Sequence, residues 1–262
     1  MTNLPPSKEE VRKFMDTIDL PPKPRGRGIM EVLLTKYYND FQTVLDVGSG
    51  GGHHIRTFKH FGKDTFACDM SEHRNPDYLG NFLEISSQIP DGHFDCVWCS
   101  HTLEHQINVG VFLKELKRII RDDGILALTV PPAKHMIVPG HLCIWNGGLL
   151  LYNLVTVGFD CSEAIVRDHK PSAYIDSKGR ESIKPYDVSV LVKKKDINWS
   201  PKVLDALPRV IEFSDATVHD GILYMSGKGM INIKKFFPKD IKWIRKGKQG
   251  DIQLDGRVGN IG

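Results

Sequence analysis

Apolar residues recur along the chain in two rhythms. Met30, Leu33, Leu34, Tyr37, Tyr38 and Phe41 fall three or four residues apart, the spacing that predicts an amphipathic helix. Val109, Phe112, Leu113, Leu116, Ile119 and Ile120 repeat it. The segments 43–47, 65–69, 94–100 and 125–130 are short, mostly apolar runs, which predicts strands buried on both faces. Helices are also expected around 7–17, over 53–61 with Gly62 as the stop signal, and over 147–157 between Asn146 as cap and Gly158 as terminator. Asp123-Gly124 marks a turn, and 186–192 predicts a late strand that runs antiparallel.

Strands alternating with helices predict an α/β chain with a parallel sheet covered on both faces. Three regions follow: an N-terminal helix and proline-rich linker over 1–29, a main domain over 30–196, and an extension over 197–262 with hairpin character around Gly221 and Gly227. The stretch 228–248 in that extension carries Lys228, Lys234, Lys235, Lys239, Lys242, Arg245, Lys246 and Lys248 against Asp240 alone. Ile231, Ile233, Phe236, Phe237, Ile241 and Trp243 interleave with them, an amphipathic surface for packing, self-association or a protein partner.

With 40% hydrophobic and 26% charged residues among 262, the chain has an ordinary globular balance, which excludes wholesale disorder. A net charge of +3 is too small to imply nucleic-acid binding by itself. The first ten residues hold no apolar signal core. The longest apolar stretch, 149–159, is interrupted by Asn153 and Gly158 and is too short to span a bilayer. Five scattered cysteines suit reduced thiols in a cytoplasmic protein better than a disulfide framework.

The candidate chemistry centres on Gly48-Ser49-Gly50-Gly51-Gly52, between a predicted strand and a predicted helix. Glycines there let the backbone approach a ligand closely and adopt positive φ. The dinucleotide fingerprint fails at its third glycine, where His53 stands, and no G-K-[ST] follows for a phosphate loop. Asp46, just before the loop, would repel pyrophosphate and suits a ligand that carries positive charge. Asp69 closes the next strand, where a carboxylate can accept hydrogen bonds from ribose hydroxyls.

These residues resemble the class I S-adenosylmethionine-dependent methyltransferases, in the broad group acting on small molecules, lipids and glycans. Leu45–Gly52 is similar to that family's first motif. Phe94-Asp95-Cys96-Val97-Trp98-Cys99-Ser100-His101-Thr102-Leu103-Glu104-His105 is similar to its fourth-strand motif, and residues 113–131 to its next helix, turn and strand. The resemblance covers roughly residues 30–195. It implies a Rossmann-like doubly wound sheet of about seven strands, mostly parallel with one antiparallel. It also implies S-adenosylmethionine as cofactor: Gly48, Ser49, Gly50 and Gly52 pass its methionine part, and Asp46 lies near its ammonium end. Asp69 would hold the ribose, Met70 would pack on the adenine, and Ser100 would line the pocket near the sulfonium. The family's adenine-binding acidic position falls at Asn81-Phe82, with Glu84 as the competing alignment.

Methyl transfer requires alignment and exclusion of water. An oxygen acceptor must also lose a proton, for which His101 and His141 are the candidate bases. His101-x-x-x-His105 would share a helix face, but no third ligand follows at a familiar spacing, so no metal site is expected. Cys96 and Cys99 sit three apart on a strand, hence on opposite faces, and read as core residues. The segment His141-Leu142-Cys143-Ile144-Trp145 resembles members that modify sugars, so the expected reaction is O-methylation of a sugar hydroxyl in polysaccharide biosynthesis. Two alternatives stand beside it. A nucleic-acid methyltransferase would use the basic extension, but Ser100-His101-Thr102-Leu103 replaces the Asn/Asp-Pro-Pro-aromatic motif of base-amino enzymes. A non-catalytic scaffold would retain only the fold.

Overall fold

The computed structural model of the chain describes residues 4–18, 25–72, 75–132, 138–168, 173–175, 181–183, 187–195, 216–219, 222–225, 243–247 and 250–254. Helix α1 (Lys8–Ile18) starts at a reciprocal cap. Glu10 N–H donates to Ser7 Oγ (3.2 Å), and Ser7 N–H donates to Glu10 Oε2 (2.7 Å). Val11 and Met15, one turn apart, are buried with residues of α2 (Arg27–Lys36). Across the two helices Arg12 holds the buried Glu31 through Nε (2.5 Å) and Nη2 (3.1 Å). The helix predicted from Met30 to Phe41 therefore starts earlier and ends at Lys36. Its continuation is a 3-10 turn over Tyr38–Asp40, where Lys63 Nζ captures the carbonyls of Tyr38 (2.5 Å) and Phe41 (2.9 Å).

The sheet is built from β1 (Thr43–Val47), β2 (Asp64–Asp69), β3 (Tyr78–Leu79), β4 (Phe94–Ser100), β5 (Ile120–Val130) and β6 (Ile165–Asp168). A short antiparallel pair, β7 (Ala173–Ile175) with β8 (Glu181–Ile183), stands apart from it, and β9 (Val188–Lys193) rejoins it. The order is β3-β2-β1-β4-β5-β9-β6. All pairs are parallel except those of β9, which runs antiparallel to both β5 and β6. The seven-strand, one-antiparallel expectation is thus met. β5 begins earlier than predicted, because Ile120 pairs with Phe94 before the register shifts; the expected turn at Asp123 is a residue at φ 59 inside the strand.

Helices α3 (His53–His60), α4 (Phe82–Ile85), α5 (Val109–Ile119) and α6 (Gly147–Thr156) complete the main body. Alternate strand residues feed two cores. Leu45, Val97 and Leu126 join Phe112, Leu116 and Leu154 on one side, while Val44, Trp98 and Ala127 join Ile29, Leu33 and Phe58 on the other. Cys96 and Cys99 fall in different cores, and all five cysteines are free. In the extension, β10 (Ala216–His219) pairs with β11 (Ile222–Met225), and β12 (Trp243–Gly247) with β13 (Gly250–Leu254), both antiparallel. The β10–β11 pair flanks the expected hairpin at Gly221; Gly221 itself, Gly227 and most of the basic run 228–248 lie outside the described residues. Among the described residues no helix is long and apolar enough to cross a membrane.

Candidate functional site

β1 lies between β2 and β4, so the chain leaves β1 and β4 toward opposite edges of the sheet. That reversal opens a crevice at the carboxyl ends of the two strands, where open α/β sheets bind ligands. The glycine loop stands there. Gly48, Gly50 and Gly52 have φ of 80, 48 and 70. A Cβ on Gly48 would come within 2.0 Å of Thr102 Oγ1, so the loop and the end of β4 meet only because the side chain is absent. No atom lies within 4 Å of where a Cβ would stand at Gly50 or Gly52, so their outer side is open.

Two polar groups are sealed beside this loop without hydrogen bonds. Asp46 is fully buried and neither carboxyl oxygen has a hydrogen-bond partner among the described residues; His54 Nδ1 lies 3.7 Å from Oδ2. His54 is fixed by its Nε2 against the Arg25 carbonyl (2.9 Å) and by Trp98. Ser49 Oγ is likewise buried and unbonded. Such groups destabilise the protein unless a ligand answers them. Asp69 accepts hydrogen bonds from Gly50 N–H at Oδ2 (2.7 Å) and from Ser71 N–H at Oδ1 (2.9 Å). Next to it, burial pushes the Cys68 thiol up to about 12, so this sulfur stays protonated and inert.

A cavity of about 390 Å³ opens from the loop, lined by Gly48 and Ser49 and by Ser100, His101, Glu104 and His141 among others. His101 closes β4 in the left-handed region, φ 56, a strained backbone for a residue with a Cβ. Both its ring nitrogens are engaged. Nε2 is 3.1 Å from Asp187 Oδ1, and Nδ1 is 3.0 Å from Glu104 Oε1. Burial alone would lower the pKa of His101, but Asp187 and Glu104 outweigh it and hold the imidazolium form above its ordinary range. Burial would raise Asp187, but His101, the Gly26 N–H (3.0 Å) and Arg25 (3.6 Å) lower it.

Glu104 also anchors a second group. Its carbonyl accepts Leu142 N–H (2.8 Å) and Cys143 N–H (3.3 Å), which clips the 138–143 loop to the 3-10 turn Leu103–His105. His105 Nδ1 meets the Gly140 carbonyl at 2.7 Å, and its ring lies 5.0 Å from that of His141. A ligand-type atom of each of Glu104, His105 and His141 lies within 4.8 Å of the other two.

The structure thus brings Gly48, Ser49, Ser100, His101 and His141 to one cavity. It places others differently. The Asn81 amide oxygen caps α4 by accepting Leu83 N–H (3.2 Å). Phe82 buries its ring against Phe112. Met70 is 76% exposed. His101 and His105 do not share a helix face, because the left-handed residue comes between strand and turn. Arg25, Asp187 and the buried Glu104 carboxylate were not legible as site groups. Asp187 reaches the site from 86 residues away in sequence, and only the placement of β9 reveals it.

Residues 45–128 match the family model of a methyltransferase domain, from β1 through β5. Over 98 residues the chain is 34% identical to the 2-methyl-6-phytyl-1,4-hydroquinone methyltransferase of Synechocystis sp.. That match takes in 33% of this chain and 31% of the relative, so the chain spans about a third of the relative's length. Among solved structures, a SAM-dependent methyltransferase from Archaeoglobus fulgidus superimposes with a TM-score of 0.51 at 19% identity, over 70% of this chain and 99% of that one. At that identity the likeness is one of fold.

Proposed function

We propose that this chain, which carries a class I S-adenosylmethionine-dependent methyltransferase domain, transfers a methyl group to a hydroxyl oxygen of a small-molecule or glycan acceptor. The observation that carries the reading is the pair of unanswered polar groups, Asp46 and Ser49 Oγ, beside a glycine loop with an open outer side. A buried carboxyl fits a ligand with an ammonium and a sulfonium centre, and Asp69 at the end of β2 fits a ribose. The residues present therefore fit the cofactor. S-Adenosylmethionine, when bound, supplies an electrophilic methyl on a sulfonium.

The chain's own contribution is placement and a change of protonation. The glycine loop and Asp69 fix one partner, and the cavity beyond Ser100 receives the other, with water displaced from between them. The acceptor hydroxyl must give up a proton. His101, with both nitrogens engaged and its cationic form favoured, is a positioning residue that ties Glu104 to Asp187. His141, the other candidate base, lines the cavity with Glu104 and His105, and this group takes over the hydroxyl. A sugar hydroxyl satisfies these demands; the Synechocystis relative is named for a hydroquinone substrate, which makes hydroquinones the second acceptor class to test.

Calorimetric titration of the purified chain with S-adenosylmethionine and S-adenosylhomocysteine tests the cofactor. One-to-one binding that Asp69→Ala weakens is expected, followed by mass-spectrometric detection of a methylated product from panels of sugars and hydroquinones. No binding at millimolar ligand by a folded sample would overturn the reading.

A further inference from the structure

We propose that Glu104, His105 and His141 form a binding site for one divalent transition-metal ion of the zinc class, on the wall of the cavity that receives the acceptor. The Glu104 carboxylate is fully buried and meets His101 Nδ1 through Oε1 at 3.0 Å. Among the described residues, the groups within ion-pair reach of it are imidazoles: His101 Nδ1 at 3.0 Å and His105 Nε2 at 3.9 Å. Oε2 has no hydrogen-bond donor among the described residues, which leaves it available to a cation.

The two histidines are set up to complete the ligand set. Nδ1–H of His105 donates to the Gly140 carbonyl at 2.7 Å, which leaves Nε2 as the lone-pair nitrogen on the Glu104 side. A second-shell carbonyl of this kind orients metal-binding imidazoles generally. His141 belongs to the loop that the Glu104 carbonyl clips through Leu142 and Cys143, so the backbone presents its ring beside that of His105. The ligand atoms lie within 4.8 Å of one another, against about 3.4 Å across a tetrahedral zinc site. His105 is exposed and His141 half-exposed, so small rotamer changes close that gap.

Two imidazoles and one carboxylate select zinc-like ions over magnesium, which prefers oxygen ligands. Three protein ligands leave a position open toward the cavity for water or an acceptor hydroxyl, whose proton the cation makes more acidic. The binding stands on these three side chains alone; the role assigned to it rests on the methyl-transfer reading. The sequence hid the site because its third ligand comes from the loop after β5 rather than from the His101–His105 segment.

The test uses the full-length, untagged chain, stripped with a chelator and titrated with Zn²⁺ by calorimetry and with Co²⁺ by visible absorption. Stoichiometric Zn²⁺ binding and a tetrahedral Co²⁺ spectrum are expected. Affinity should fall at least tenfold in each of His105→Ala, His141→Ala and Glu104→Gln, and stay unchanged in Asp69→Ala. Because His105 is exposed, His105→Ala should keep the parent's circular dichroism, so a loss there reports ligation. Absence of stoichiometric binding, binding indifferent to His105→Ala and His141→Ala, or Mg²⁺ binding as tightly as Zn²⁺ would each overturn the site. S-Adenosylmethionine binding measured on the same metal-free sample reports separately on the methyl-transfer reading.

Discussion

The backbone N–H of Gly50 donates to Oδ2 of Asp69 over 2.7 Å, joining the loop after β1 to the end of β2. The residue we propose to hold the ribose therefore also braces the loop that we propose receives the methionine part. Asp69→Ala removes both. Hydrogen bonds to a charged acceptor contribute about 1.5–3 kcal/mol each, so the cofactor dissociation constant should rise roughly ten- to hundred-fold or more. Asp69→Asn keeps an oxygen for Gly50 and should lose less. Calorimetry on the two variants separates them; equal affinities in all three proteins would remove Asp69 from the site.

Gly48 is expected to tolerate no side chain. With Thr102 Oγ1 2.0 Å from the position of a Cβ, and φ at 80, Gly48→Ala should cost about 1–3 kcal/mol of stability and weaken cofactor binding. Thr102→Ala in the same chain should restore part of the loss, because the two residues are in contact. Urea denaturation of the four proteins in that cycle measures the coupling, and strict additivity would show that the clash is relieved elsewhere.

Asp46 trades stability for binding. Its carboxyl group is fully buried and unbonded in the ligand-free chain. Asp46→Asn is expected to raise the melting temperature of the cofactor-free protein while weakening S-adenosylmethionine binding. Differential scanning calorimetry with and without cofactor reads both. A lower melting temperature in the cofactor-free variant would show that His54, 3.7 Å away, already stabilises the acid.

Asp95 supplies a pH dependence far from the cavity. It accepts the backbone N–H groups of Gln42 and Thr43 (both 2.8 Å) and Arg121 Nε (2.5 Å). Burial raises its pKa, but these donors outweigh burial and lower it. Its stabilisation is therefore complete above the unfolded carboxyl value of about 3.9 and is lost as pH falls through the lower folded value. Asp95→Asn should destabilise the chain by about 1–3 kcal/mol at neutral pH, a gap that narrows under acid. Parallel denaturation curves at pH 7 and pH 3 check this; a constant gap would refute it.

What the sequence disclosed and what it hid divide along one physical line. Patterns local to a few residues were legible: the apolar run before Gly48, the acid ending β2, the cap at Asn146, the opposite-face cysteines. Each is set by backbone geometry within one element. Asn81 carries two local meanings, because an amide that can accept from a ligand can equally cap the helix it precedes, as it does at α4. For His101, nothing nearby in sequence shows that Asp187 meets its Nε2. The grouping of Glu104, His105 and His141 depends on two backbone hydrogen bonds from a loop that follows a different strand.

β9 enters between β5 and β6 after both have been made. On the ribosome, β5 therefore emerges with its outer edge unpaired, and Ile125 through Val130 stay open until residues 188–193 leave the exit tunnel. Asp187 arrives with that last strand, so His101 gains its partner only when the edge is sealed. An unpaired apolar edge is a template for association with another chain. Chain termination before residue 188 should therefore yield aggregates rather than a smaller folded domain.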